Sequence, residues 1–132
     1  MTAPRIIVPG ATTAITRRTN LRKAFLAPWH PLVPQIWLYA IADAQRKTGV
    51  EVHHANCVIT HHHLECTPQQ DNLPEFTQYM HRDISCALNT LLAQQRYDCP
   101  RELFDGRDAH YMRLVDAQAQ ASQLIYGADP PL

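Results

Sequence analysis

A chain of 132 residues with no net charge at pH 7 is long enough to bury a core of its own, and we expect residues 1–132 to form a single domain. No apolar run approaches the roughly 18 residues of a transmembrane helix, and no leader pattern opens the sequence, which argues against a membrane protein. Four cysteines without C-x-x-C spacing are typical of reduced thiols and indicate a cytoplasmic protein.

The zero net charge conceals a split along the sequence. Residues 1–50 hold seven basic residues and one acidic residue, a charge of +6, whereas residues 51–132 hold five basic and eleven acidic residues, a charge of −6. A basic first third can place a phosphate-facing patch on one side of the domain. Opposite charges that intermix in the folded protein explain the composition equally well.

The first predicted elements are a strand and a helix. Residues 11–18 are rich in β-branched residues and follow Pro9-Gly10, which predicts a strand. Its end delivers donors suited to phosphate oxygens: Arg17, Arg18, Asn20, Arg22 and Lys23. From Pro31 to Thr48 apolar residues recur at helical spacing, which predicts a core-packed helix capped by Gly49.

Three consecutive histidines follow. The patterns of residues 50–59 and 60–67 predict two strands. Only a tight reversal separates them, so we expect them to pair antiparallel. Because side chains alternate along a strand, His61 and His63 share one face and His62 lies on the other. Two neighbouring imidazoles can hold one divalent cation when another part of the fold supplies a further ligand. A polar strand face with solvated histidines is the alternative, and His53 and His54 lie on the adjacent strand.

The second long helix begins near Asn72, a plausible N-cap with Glu75 as its capping-box partner. Its apolar stripe predicts a core face, which consists of Leu73, Phe76, Met80, Ile84, Ala87, Leu88 and Leu91. Residues 102–111 predict a short fourth strand.

The last predicted helix runs from Met112 to Tyr126. Helical geometry places Tyr126 well away from the apolar stripe of this helix, so its hydroxyl is a candidate nucleophile. An amphipathic tyrosine on the surface is the alternative. The order strand, helix, two paired strands, helix, strand, helix predicts an α+β ferredoxin-like sandwich, in which an antiparallel sheet with the histidine strand at its centre carries the helices.

Several segments, from Pro9-Gly10 to Tyr126, resemble those of one family. The sequence is similar to the single-tyrosine HUH transposases and, within them, to the REP-associated tyrosine transposases. The likeness rests on five segments: Pro9-Gly10 leading to Ile15-Thr16-Arg17-Arg18 and Asn20, Gly49 to His53 leading to Cys57-Val58-Ile59-Thr60, His61-His62-His63-Leu64, Asn72-Leu73, and Tyr126.

The resemblance implies a metal-dependent enzyme that acts on single-stranded or hairpin DNA as a monomer or homodimer at the bacterial nucleoid. His61 and His63 would bind Mg²⁺ or Mn²⁺, and Tyr126 would attack a phosphodiester, which leaves a 5′-phosphotyrosine and a free 3′-hydroxyl. The family commonly completes the metal site with an amide or carboxylate one helical turn past the tyrosine. Pro130 stands there in this chain, so Gln123 and Asp129 are the substitutes that we expect.

Two alternative functions are also compatible with the sequence. The middle residue of the HUH motif is usually bulky and apolar but here is His62, and relatives continue beyond the position at which this chain ends. A nucleic-acid-binding protein of the same fold without turnover would show these departures. The cluster of histidines also suits a protein that binds Zn²⁺ or Ni²⁺.

Overall fold

The computed structural model describes residues 9–20, 23–98, 102–104 and 110–113. Within these ranges the elements follow the predicted order of strand, helix, two strands, helix and strand. They are β1 (Thr13–Arg18), α1 (Leu32–Thr48), β2 (Glu51–Val58), β3 (His61–Thr67), α2 (Leu73–Gln94) and β4 (His110–Arg113).

The four strands form one antiparallel sheet in the order β2-β3-β1-β4. Strands β2 and β3 are joined by a turn at residues 59–60, as the sequence predicts. The histidine strand β3 therefore lies inside the sheet, between β2 and β1, and both of its edges are hydrogen bonded. The predicted α+β ferredoxin-like arrangement with a central histidine strand is confirmed.

Helix α1 ends where its sequence indicates. Gly49 adopts a left-handed conformation with φ of 75°, and its N–H donates to the carbonyl of Gln45. Glycine adopts this conformation without the steric cost that a Cβ imposes. The buried face of α1 repeats at helical spacing and consists of Val33, Trp37, Ala40, Ile41 and Ala44.

Helix α2 begins at the predicted place but not with the predicted cap. Asn72 occupies the N-cap position, yet its side chain makes no capping hydrogen bond, so the capping box with Glu75 is not formed. Instead the Asn72 Nδ2 donates to the carbonyl of Thr48 over 2.8 Å. The side chain thus joins the end of α1 to the start of α2, because the two helices pack side by side and leave that carbonyl within reach.

Both helices cover the same face of the sheet. The side chains of Ile15 in β1 and Leu64 in β3 are buried there in one cluster with the apolar faces of α1 and α2. Two polar residues, Thr77 and His81, interrupt the buried stripe of α2. His62 is fully buried on this face, whereas His61 and His63 point to the opposite one.

The fourth strand differs from its predicted bounds. It begins at His110, not Glu102, because residues 110–113 find backbone partners along the free edge of β1. Earlier, Phe104 makes only an isolated bridge to Thr19. The helix predicted from Met112 is wrong at its start, since Met112 and Arg113 belong to β4. The remainder of that helix, with Tyr126, lies outside the described residues, and no helix within them is long and apolar enough to cross a membrane.

Candidate functional site

His61 and His63 lie side by side on the face of the sheet opposite α1 and α2. Their ring centroids are 4.7 Å apart and the ring planes are nearly perpendicular, at 84°. Neighbouring strands hold them in place: Arg18 and Thr16 of β1 pair with His61 and His63. The two imidazoles are therefore brought together by backbone that is fixed on both sides.

Each of the two rings makes a hydrogen bond through Nδ1. His61 Nδ1 is 3.2 Å from the Thr60 hydroxyl, and His63 Nδ1 is 3.1 Å from the Thr16 hydroxyl. When the hydroxyl oxygen accepts from Nδ1–H, the lone pair of the ring lies on Nε2. Histidines that bind metal ions are commonly oriented in this way by a partner on the other nitrogen.

The pKa values of the pair keep both rings neutral at pH 7. Burial, together with the neighbouring His61 and His54, lowers the pKa of His63 to about 4. Burial, with a contribution from Arg18, also lowers the pKa of His61. A neutral imidazole is the form that binds a metal ion, so a cation at this site would not have to displace a proton near neutral pH.

His62 makes a hydrogen-bond chain on the other face of β3. The indole Nε1–H of Trp37 donates to His62 Nδ1 over 2.7 Å, and His62 Nε2 lies 2.8 Å from His81 Nε2. Because an indole can only donate, His62 carries its proton on Nε2 and donates it to His81. Burial lowers the pKa of His62 to about 3 and holds that of His81 well below its ordinary 6.5.

The sequence analysis did not predict these hydrogen bonds: it assigned the helix that carries Trp37 to core packing and did not single out His81. A signal was present, because His81 stands within the apolar stripe of α2 between Met80 and Ile84. A histidine in such a stripe requires a buried polar partner.

The predicted DNA-contacting residues take different positions. Arg18 is exposed beside His61, on the face of the histidine pair. The Arg17 side chain turns to the other face, where its guanidinium lies 5.5 Å from the ring centroid of Phe104. Lys23 is exposed, Asn20 is half-buried, and the two are joined by a backbone hydrogen bond. Arg22 lies outside the described residues.

Glu65 and His54 are two further polar residues on the face of the histidine pair. The sequence analysis did not predict that they lie close together. They lie opposite each other across β3 and β2, next to His63. Glu65 is only 4% exposed, and within the described part of the chain neither its Oε2 nor His54 Nε2 has a hydrogen-bond partner. Burial raises the pKa of Glu65. Alternation along β3 could have identified Glu65, which is two residues beyond His63.

The fit of this face to a divalent cation can be judged from its donors. Two neutral imidazoles and a buried carboxylate oxygen without a partner are ligands of the kind that Mn²⁺ accepts. In the ranges that the structure describes, no three His, Cys, Asp or Glu side chains are already grouped as around a metal ion. The predicted ligands Gln123 and Asp129 and the predicted nucleophile Tyr126 lie outside those ranges.

Comparison with known proteins gives a match at the level of structure only. No family model matches the sequence, and no curated protein sequence matches it. A solved structure of a REP-associated tyrosine transposase bound to a REP hairpin is 15% identical, with a TM-score of 0.76 over 96% of this chain and 70% of the other.

A second solved structure, a candidate transposase from Deinococcus radiodurans R1, is 16% identical, with a TM-score of 0.63 over 99% of this chain and all of the other. The resemblance that the sequence motifs carry is thus confirmed for the three-dimensional arrangement. This chain has the fold of the tyrosine transposases.

Proposed function

We propose that the protein is a divalent-cation-dependent transesterase that cuts single-stranded or hairpin DNA. The observation that carries the proposal is the pair His61 and His63, whose Nδ1 atoms each contact a threonine hydroxyl, on the central strand of a fold shared with a hairpin-bound transposase.

In the proposed reaction the phenol oxygen of Tyr126 attacks a DNA phosphorus and loses its proton. The bond from phosphorus to the 3′-oxygen breaks, and that oxygen takes up a proton to become a free 3′-hydroxyl. The DNA remains attached through a 5′-phosphotyrosine, which conserves the bond for rejoining. Arg18, exposed beside His61, would hold a phosphate oxygen and offset its charge.

Mg²⁺ or Mn²⁺ would be held by His61 and His63 with Gln123 or Asp129 as further ligands. When bound, the cation supplies Lewis-acid polarisation of the scissile phosphate. The chain's own contribution would be to hold Nδ1 of each imidazole against a threonine hydroxyl, which leaves Nε2 as the nitrogen that binds the cation. We place this activity at the nucleoid, with the protein acting as a monomer or homodimer.

The test is covalent capture of DNA. Labelled single-stranded oligonucleotides with imperfect palindromes are incubated with the protein and Mn²⁺, and products are separated under denaturing conditions. We expect an adduct that survives denaturation and is absent from Tyr126→Phe and from protein treated with a chelator. Tyr39→Phe is the matched control, because Tyr39 is 74% exposed on α1 and should form the adduct normally. A folded protein that forms no adduct on any palindrome would exclude this activity.

A second function, DNA binding without turnover, is favoured by one observation: the described residues do not by themselves form a three-ligand metal site, yet they present basic side chains at Arg18 and Lys23. This protein would bind hairpin DNA without any adduct, and its affinity would fall steeply with salt because phosphate contacts release counterions. Binding that is equal with and without a chelator would favour this function over catalysis.

A further inference from the structure

We propose that Glu65 is the carboxylate ligand of the divalent cation held by His61 and His63. The inference rests on the proposed function, since it assigns a further residue to the same cation site. It differs from the ligands expected at Gln123 and Asp129, because Glu65 lies on the histidine strand itself.

The first argument is position. Side chains two residues apart along a strand share a face, so His61, His63 and Glu65 follow one another along the same side of β3. The neighbour of Glu65 in β1 is Ala14, whose small side chain is buried as well. The neighbour in β2 is His54.

The second argument is an unmet hydrogen-bonding need. Glu65 is 96% buried, and among the residues that the structure describes its Oε2 accepts no hydrogen bond and His54 Nε2, across the strand pair, has no hydrogen-bond partner. A buried carboxylate oxygen without a donor costs free energy, and such groups in native proteins require an explanation. A cation beside His63 would give this oxygen a partner.

The third argument is reach. A glutamate side chain has three rotatable bonds, so its carboxylate can move toward His63 without any change in the backbone. Such a rotation is needed, because the described residues do not yet form a group of three ligands. The rigid part of the site is the histidine pair, and Glu65 would close it when the cation binds.

The test measures binding of Mn²⁺ alone to the full chain, without DNA, by the loss of the free Mn²⁺ signal in electron paramagnetic resonance. We expect Glu65→Gln to raise the dissociation constant by roughly tenfold or more, as loss of a ligand or its close support does. Glu51→Gln is the control, because Glu51 is an exposed carboxylate on the adjacent strand β2 and should leave the constant within about twofold under screening salt.

Thermal unfolding separates a ligand from a structural residue. Without metal, Glu65→Gln should melt at or above the temperature of the wild type, because it removes a buried negative charge whose Oε2 has no donor among the described residues. With Mn²⁺, the wild type should gain more than the variant, since a ligand stabilises the state that binds it. A carboxylate that served only the fold would lower the melting temperature to the same extent with and without Mn²⁺, and that result would overturn the inference.

Parallel variants distinguish failure of this inference from failure of the proposed function. If His63→Ala abolishes Mn²⁺ binding and Glu65→Gln does not weaken it, Glu65 is not a ligand and the cation site of the proposed function remains. The same conclusion follows if only Gln123→Ala or Asp129→Asn weakens binding. A wild-type protein that binds no Mn²⁺ would overturn both.

Discussion

The indole Nε1–H of Trp37 donates to His62 Nδ1 over 2.7 Å, in the core between α1 and the sheet. This single contact determines the tautomers of two histidines. His62 must carry its hydrogen on Nε2 and donate it to His81, so Nε2 of His81 carries none. The buried imidazole of His62 therefore has a hydrogen-bond partner on each of its two ring nitrogens.

Removal of the indole donor should destabilise the protein. We expect Trp37→Phe to lower the free energy of unfolding by about 1–3 kcal/mol beyond the loss of packing, since it leaves His62 Nδ1 buried without a donor. Urea unfolding followed by circular dichroism measures the change. Trp29→Phe is the control, because Trp29 is only partly buried and its indole donates to the carbonyl of Phe25, and it should cost less. Equal losses in the two variants would contradict the prediction.

The buried histidines make the stability dependent on pH. The pKa of His81 in the folded protein is well below the 6.5 expected in the unfolded chain, so the unfolded state binds more protons at acid pH. Stability is therefore complete above pH 6.5 and is lost as the pH falls toward the folded pKa, which for His62 is about 3.

Substitution of His81 by glutamine tests this dependence. His81→Gln keeps an acceptor for His62 but does not titrate, so unfolding free energies between pH 7 and pH 4.5 should fall less steeply than in the wild type. A variant with an unchanged slope would show that His81 does not contribute.

Adjacent arginines should behave differently. Arg18→Gln is expected to weaken binding of hairpin DNA and to reduce the dependence of log affinity on log salt by about 1, as loss of one phosphate contact does. Arg17→Gln should instead lower stability by roughly 0.5–2 kcal/mol, since it removes the guanidinium that lies over Phe104. DNA titrations over a range of salt, beside urea unfolding, measure both. Two variants with the same salt dependence would contradict the assignment.

The contact of Asn72 with Thr48 predicts an unusual preference at a helix start. Aspartate is ordinarily as good an N-cap as asparagine. Here the side chain donates a hydrogen bond, which a carboxylate cannot do, so Asn72→Asp should lower the free energy of unfolding by about 1 kcal/mol. Asp71→Asn, at an exposed neighbouring position, is the control and should be neutral. A fully stable Asn72→Asp would show that the hydrogen bond to Thr48 does not stabilise the protein.

The parts of the fold that the sequence predicts well are those set by local pattern. Helix α1 has a regular apolar stripe and a terminal glycine, and β2 and β3 are two β-rich runs joined by a tight reversal, so their bounds come within one or two residues. The start of strand β4 is not set by local pattern. It is set by pairing with β1, and the sequence of residues 102–113 alone does not indicate where that pairing begins.

The same division holds for the candidate site. Alternation places His61 and His63 together, because both lie on one strand. The Trp37–His62–His81 chain joins three separate elements, and its donor and acceptor only meet after the helices dock. Glu65 can be identified as a candidate ligand only from the folded structure, in which its Oε2 is buried without a donor among the described residues. The roles assigned to Gln123, Tyr126 and Asp129 stay predictions, since those residues lie outside the described ranges.

Strand β3 carries His61 and His63 on one face and His62 on the other, which restricts the register in which the sheet can form. A slip of one residue against β1 or β2 would turn every side chain to the opposite face. His61 and His63 would then enter the core, where Trp37 and His81 offer partners for one imidazole only. A sheet in the wrong register would bury an imidazole under α1 without a hydrogen-bond partner. Hydrogen bonding as well as apolar packing therefore favours the native register during folding.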